Sequence, residues 1–153
     1  MSSIIIQSEK FNIQYLYFLQ KVKNNVKQNS HFSRLIYSNE YFSLKNLYIP
    51  FTLENIQFKD QYLKTNILFD EIQNQNNLQP IYDIERNMLQ KYISDIDEDL
   101  DPNLGIYNQC KLNFIKIFKN NINITDKQNI TIYIKISGIW QTTHNIGLTY
   151  KFI

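Results

Sequence analysis

A strict alternation between residues 130 and 136 constrains the fold of this chain more than any other feature. Four isoleucines alternate there with polar or aromatic side chains, in the order Ile130, Thr131, Ile132, Tyr133, Ile134, Lys135 and Ile136. Because successive side chains of a strand point to opposite faces, this period of two predicts a half-buried β-strand. A polar turn and a second apolar run, IGLTYKFI, follow Trp140, so the end of the chain predicts a hairpin.

The composition supports a β-rich domain. The chain has 153 residues, of which 43% are hydrophobic and 14% aromatic, and it contains 25 Ile but no Ala. Isoleucine, tyrosine and phenylalanine favour strands, and this apolar content excludes an intrinsically disordered chain. One domain over residues 1–153 is therefore expected.

The segment from Ser8 to Gln28 predicts a helix. Its apolar residues recur at helical spacing over about residues 9–27, at Phe11, Tyr15, Phe18, Leu19, Val22 and Val26. The alternative for the first half is a strand through Phe11, Ile13, Tyr15 and Tyr17. We prefer the helix.

The middle of the chain predicts strands and then a second helix. Three apolar runs over residues 31–58 predict a meander whose second strand ends at Pro50, since proline donates no ladder hydrogen bond. Residues 59–79 carry little signal, and residues 73–77 predict a loop. Pro80 suits the first position of a helix over about residues 80–94. With strands again over about residues 107–152, the expected fold class is mainly β with α (α+β), an antiparallel barrel or curved sheet with one or two helices.

The formal net charge of +2 is unevenly distributed. Residues 1–67 carry eight Lys or Arg and four Asp or Glu, and residues 111–153 carry six and one, whereas residues 68–110 carry two and nine. The two basic segments hold the predicted strands. This asymmetry indicates a polyanionic partner.

The chain offers little for catalysis or metal binding. It has no Gly-rich phosphate loop, and His31, His144 and Cys110 are not at the spacing of metal ligands. The acidic run 95–101 lacks the Gly and Glu of a calcium loop. We therefore expect no enzyme, no cofactor and no metal, with Cys110 as a small core residue. Without a signal peptide or a membrane span, an intracellular protein that is not secreted and has no membrane partner is expected.

Aromatic and cationic residues lie close together on the predicted C-terminal strands. A single-strand binder uses cations that follow phosphates and rings that stack on bases. The candidate nucleic-acid-binding residues are Phe114, Lys116, Phe118, Lys119, Tyr133, Lys135, Trp140, Tyr150 and Lys151. Core packing is the alternative role of each aromatic residue, and for Trp140, beside a predicted turn, both roles stay open.

Two segments of the chain resemble a known family: they are FSRLIYSNEYFSLKNLYIPF and IYIKISGIWQTTHNIGLTYKF. They are similar to the strand pairs of OB-fold single-stranded DNA-binding proteins of the phage and giant-virus replication type. The final hairpin of that family matches here at Gly138-Ile139-Trp140 and at Gly147-Leu148-Thr149-Tyr150-Lys151. The resemblance implies an OB-like barrel and a viral protein that binds single-stranded DNA during DNA replication, in the host cytoplasm or nucleus or in the virion.

One departure from this family concerns the C-terminus. Proteins of this type end in an acidic tail that recruits partners, whereas this chain ends Lys151-Phe152-Ile153. Replication proteins would then bind the acidic run 95–101. The alternative function is a structural or virion-assembly interaction protein on the same domain, which would show an apolar patch without convergent lysines. A homo-oligomer is compatible with either function.

Overall fold

A computed structural model describes residues 4–24, 28–118 and 128–153. In these ranges two 3-10 helices, Ser8–Lys10 and Ile13–Tyr15, precede the first strand. The strands are β1 (Leu16–Phe18), β2 (Val22–Lys23), β3 (His31–Ser38), β4 (Ser43–Leu44), β5 (Leu47–Glu54), β6 (Gln57–Asp60), β7 (Lys64–Leu68), β8 (Asp101–Asn103), β9 (Phe114–Phe118), β10 (Asn129–Gln141) and β11 (Asn145–Phe152). The helices are α1 (Gln75–Ile96) and α2 (Gly105–Lys111). The predicted class, mainly β with α, is confirmed.

Strand β10 is the centre of a large curved sheet. It pairs antiparallel with β11, with β3 and, in its first half, with β5. Strands β1, β2 and β4 pair with β3, and β8 joins β11 in parallel. The sheet is a strongly curled half-barrel, consistent with an OB-like fold, so the predicted curved sheet is confirmed.

A β-bulge in β10 changes which of its residues face inwards. Before the bulge the even-numbered residues face the core, as the alternation predicts: Ile132, Ile134 and Ile136 are buried. The pairing with β11 shifts register between Ile136 and Gly138, which leaves Ser137 as the extra residue. After the bulge the buried positions are 139 and 141, and Trp140 is half-buried.

Helix α1 covers the inner face of the large sheet. Its apolar side chains meet the inward residues of the sheet in a core that includes Leu35, Leu47, Ile49, Leu53, Leu78, Ile81, Met88, Leu89, Ile134, Ile136, Ile139 and Leu148. A buried polar chain crosses this layer. In it the Tyr92 hydroxyl donates to Gln141 Oε1 at 2.8 Å and lies 3.1 Å from Ser33 Oγ. The opposite side of the sheet is called the outer face.

Helix α2 begins at a carboxylate supplied by α1. Glu85 is fully buried, and its oxygens accept hydrogen bonds from Ile106 N at 2.8 Å and Tyr107 N at 3.0 Å. These N–H groups belong to the first turn, where a helix offers them no internal partner. Burial raises the pKa of Glu85 above its usual value, and the two N–H groups act against that rise. Glu85 therefore fastens α2 to α1.

Gly138 is required where β10 lies beside β3. A Cβ atom at this position would lie 2.2 Å from the Ser33 carbonyl oxygen and 2.8 Å from the Phe32 ring. Because a backbone oxygen cannot turn away as a side chain can, the two strands would have to separate. We expect Gly138→Ala to lower the free energy of unfolding by about 3 kcal/mol. The melting temperature should fall by about 6–12 °C.

Chemical and thermal denaturation measure this effect. The control is Ser137→Ala, which adds no atom next to the same position and should change stability far less. A Gly138→Ala variant as stable as the wild type would contradict the close packing of β3 and β10.

The predicted helix over residues 9–27 is wrong. Its described residues form isolated 3-10 turns and the strands β1 and β2, both of which pair with β3. Tyr37 of β3 holds this segment on the sheet. Its ring stacks on Phe11 with centroids 5.6 Å apart, and its hydroxyl accepts a hydrogen bond from Asn12 N at 3.0 Å. Tertiary pairing with the edge of β3 therefore outweighs the helical spacing.

The alternative prediction for this segment, a strand with Tyr17 on its buried face, is correct in secondary structure but assigns the wrong face to the core. Residues 16–18 do form a strand, yet Leu16 is buried and Tyr17 is 55% exposed.

The predicted helix over residues 80–94 is confirmed as part of α1, but α1 begins five residues earlier. The predicted loop 73–77 accordingly overlaps its first turn. Pro80 lies inside the helix, where it removes the one hydrogen bond that its N–H would have donated to Asn76. The earlier start follows a turn in which Asp70 Oδ1 accepts hydrogen bonds from the backbone N–H groups of Ile72, at 2.9 Å, and Gln73, at 3.2 Å.

Three strand predictions also need correction. Pro50 lies within β5 and not at its end. It is opposite Tyr133 of β10. The backbone N–H and C=O of Tyr133 both form hydrogen bonds with Ile153, on the side of β10 away from β5. The proline nitrogen therefore faces away from β10, and no hydrogen bond between the two strands is lost. Residues 107–111 were predicted as strand and belong to α2, which Glu85 caps. Strand β7 was missed because three consecutive residues of it are buried, which hides any alternation.

Candidate nucleic-acid interface

Trp140 lies on the outer face of the large sheet, where the bulge places it. It stands directly opposite Gly147 of β11 and Phe32 of β3. A Cβ atom at Gly147 would lie 2.4–2.7 Å from three atoms of the indole, so the ring packs directly on the Gly147 backbone. The indole is therefore held at the surface, half-buried, and not in the core.

A groove on the outer face runs between Trp140 and Phe32. Its volume is about 530 Å³, and its other lining residues are Asn24, Arg34, Ser137, Leu148, Thr149 and Tyr150. The Arg34 guanidinium carbon lies 5.7 Å from the centroid of the Phe32 ring, which is a cation–π contact. The groove thus combines two aromatic rings with one permanent cation.

Two lysines lie side by side farther along the same hairpin. Lys135 of β10 is directly opposite Lys151 of β11, so both side chains leave the sheet on the outer face. Neither forms an ion pair with another residue in the described part of the chain. Tyr48 of β5 is opposite Lys135 on its other side, and Tyr133 precedes it on the same face. Like charges in directly opposite positions destabilise a sheet, so this pair favours a bound anion.

The other predicted cluster lies apart from Trp140, on the outward side of the sheet formed by β6, β7 and β9: it contains Phe114, Lys116 and Phe118. Lys64 is opposite Phe118, with its Nζ 5.2 Å from the ring centroid. Lys116 Nζ lies 5.9 Å from the Phe114 ring, and Lys59 is on the same side two strands away. The small sheet therefore has its own surface of cations and rings.

Two predicted residues do not belong to either surface. Tyr150 borders the groove, but its ring packs on α2, 3.1 Å from where a Cβ atom at Gly105 would lie. Burial raises the pKa of the Tyr150 hydroxyl to about 12. Lys119 lies outside the residues that the structure describes.

The outer-face residues Phe32, Arg34 and Tyr48 were not predicted as site residues. The alternation of β3 contains the signal, because Phe32 and Arg34 flank the buried Ser33. A buried serine hides the pattern, since serine at an inward position resembles a solvent-facing residue. Its hydroxyl has a buried partner in Tyr92, 59 residues away, which no local pattern reveals.

The acidic run 95–101 lies where α1 ends and β8 begins. Its carboxylates are exposed, at Asp95, Asp97, Glu98, Asp99 and Asp101. Asp95 pairs with Lys91 at 3.6 Å, and Glu98 accepts a hydrogen bond from Gln141 Nε2 at 2.9 Å. The predicted loop is thus shorter than expected, and it remains a negative surface.

Comparison of the chain with models of known protein families, with curated proteins and with solved structures found no match in any of the three. The resemblance to OB-fold single-stranded DNA-binding proteins stays a prediction. Among the described residues no helix is long and apolar enough to cross a membrane. No group of three His, Cys, Asp or Glu in those ranges is placed to hold a metal ion. Cys110 is a buried core residue, and burial raises the pKa of its thiol to about 12.

Proposed function

We propose that this chain is a non-catalytic protein that binds single-stranded nucleic acid on the outer face of its large sheet. The observation that carries the proposal is the shared face of Phe32, Arg34, Lys135, Trp140 and Lys151. The core lies on the other side of the sheet and does not include these side chains. Their aromatic and cationic character therefore has no explanation in core packing.

The face supplies both contacts that a single strand needs. Trp140 and Phe32 offer rings on which bases can stack, and each stacked base contributes about 1–3 kcal/mol as measured by alanine substitution. Arg34, Lys135 and Lys151 offer cations to the phosphates. The lysine pair is five residues from Trp140 along β10, which is about 16 Å at the rise of a strand. A strand of a few nucleotides spans that distance.

The charges of the face favour a polyanion along its centre. The pairing of the strands places two acidic residues on this side, and both stand at its ends. Glu54 is opposite Asn129, at the start of β10, and Asp101 is opposite Asn145, on the outermost strand β8. Among the described residues of the paired strands, the charged side chains in the middle of the face are cations only.

The small sheet extends the proposed contact. Its rings and cations, at Lys59, Lys64, Phe114, Lys116 and Phe118, repeat the combination found beside Trp140. We therefore assign this second surface to another stretch of the same nucleic acid. Single-stranded DNA handled during viral replication is the ligand that the family resemblance implies.

Titration of the intrinsic fluorescence tests the proposal, because Trp140 is the only tryptophan in the chain. Unlabelled poly-dT or poly-U at low salt should quench the emission as bases stack on the indole. The control is inorganic polyphosphate, which has the charge but no bases and should quench far less. Absence of quenching with both polymers would remove the nucleic-acid proposal.

A structural or assembly role is the second candidate, and exposed apolar side chains near the N-terminus favour it. Ile4, Ile5, Tyr17, Leu19 and Val22 are 43–58% exposed. Ile5 forms a bridge with Tyr48 of β5, whereas Tyr17 and Val22 pair with β3, and Val22 is opposite Phe32 at the edge of the groove. If the titration fails, these exposed apolar side chains become the preferred interaction surface.

A further inference from the structure

A second cavity adjoins Trp140 on the side away from Phe32. It has a volume of about 530 Å³, and besides the indole it is lined mainly by Asn103, Tyr107, Asn108, Thr142 and Asn145. We call it the amide pocket. Its three asparagines come from β8, α2 and the start of β11, so three separate elements converge on one wall of the tryptophan.

The amide pocket is polar without being charged. None of its lining residues carries a charge. The side chains of Asn103, Asn108 and Asn145 make no hydrogen bond to another residue of the described ranges, whereas Thr142 Oγ1 is engaged with the Asn145 backbone at 3.1 Å. Each free amide offers donors and an acceptor side by side. Asp101, opposite Asn145 on β8, adds a carboxylate beside the pocket that disfavours a phosphate.

These properties describe a receptor for a neutral, flat group that presents hydrogen-bond donors and acceptors along one edge. A nucleobase is such a group, and asparagine pairs with a base edge through two hydrogen bonds. The indole of Trp140 is the common wall of the groove and the amide pocket. A strand that follows Lys135, Arg34 and Trp140 would therefore deliver its next base to the pocket.

We propose that the amide pocket takes up the edge of one nucleobase and makes binding base-selective. The proposal rests on the proposed function and adds to it, because stacking and phosphate contacts alone tolerate any sequence. Every nucleobase has a donor next to an acceptor on an exposed edge, but their arrangement differs among the bases, so amides held in one orientation favour one base over the others. The sugar and phosphates of that nucleotide stay over the outer face.

The test compares the affinities of labelled dA, dC and dT homo-oligonucleotides of equal length, measured by fluorescence anisotropy at one salt concentration. For the wild type, the best and the worst should differ about tenfold or more. In the double variant Asn103→Ala/Asn108→Ala that difference should shrink to about threefold or less, with an unchanged salt dependence. The control is Asn87→Ala, which removes an exposed amide on α1 and should leave the base preference intact.

Equal affinity of the wild type for all three oligonucleotides would overturn the proposal. A preference that persists in the double variant would overturn it as well, because the selectivity would then arise elsewhere. In both cases salt-dependent binding would remain, and the proposed function would stand. If none of the three oligonucleotides binds, the proposed function fails together with this inference.

Discussion

Reversing the charge of both Lys135 and Lys151 is expected to weaken the binding of single-stranded DNA about 60-fold or more in about 50 mM salt. Each phosphate contact releases counterions, and log affinity falls with log salt at a slope of about −0.7 per contact. Loss of two contacts should therefore flatten the slope by about 1.4, and between about 1 M and 50 mM salt this slope corresponds to a factor of about 60 in affinity. The Lys135→Glu/Lys151→Glu variant adds repulsion to this loss, so 60-fold is a lower bound.

Anisotropy titrations at several salt concentrations give both the affinity and the slope. The control is Lys10→Glu/Lys91→Glu, which makes the same change of net charge on residues outside the outer face. It should lower the affinity only through the overall charge and leave the slope near that of the wild type. Equal slopes for the Lys135/Lys151 variant and the wild type would show that phosphates do not contact this pair.

Replacing Trp140 by alanine is expected to weaken binding by about 1–3 kcal/mol, which is about 5-fold to 150-fold in the dissociation constant. The loss of stability should be smaller than the roughly 3–5 kcal/mol of a tryptophan removed from a core. The reason is that the indole lies on the Gly147 backbone at the surface, on the side of the sheet away from α1.

A labelled oligonucleotide measures the affinity, since the variant has no tryptophan signal, and thermal unfolding measures the stability. Trp140→Phe is the matched control, because it keeps a ring for stacking and should recover most of the lost affinity. A variant that loses several kcal/mol of stability but binds like the wild type would assign Trp140 to the core.

The position of Trp140 shows what the sequence could and could not predict. The alternation at residues 130–136 correctly predicts the inner and outer faces of the first half of β10. Continued through residue 140, the same period of two would turn the tryptophan inwards. The bulge at Ser137 reverses that outcome, and it is visible only in the register with β11, which the pattern within β10 does not reveal.

The prediction of a helix in the N-terminal segment was wrong for a related reason. Its helical spacing from Phe11 to Val22 is real, but stacking on Tyr37 and pairing with β3 decide its conformation. The lysines of the outer face were predicted because they lie on strands with a clear period. Arg34 and Phe32 were missed because their strand buries a serine, and its hydrogen-bond partner comes from α1.

The carboxylate of Glu85 has a consequence for recognition at a distance. It holds the first turn of α2 through two hydrogen bonds from the core side, and α2 carries Tyr107 and Asn108 to the surface. A wall that is fastened in this way is preorganised, so it loses little conformational entropy when a ligand arrives. The difference in affinity between ligands at that wall would then depend on the rigid position of α2. Loss of the contact between Glu85 and α2 would reduce this difference under conditions in which the domain is still folded.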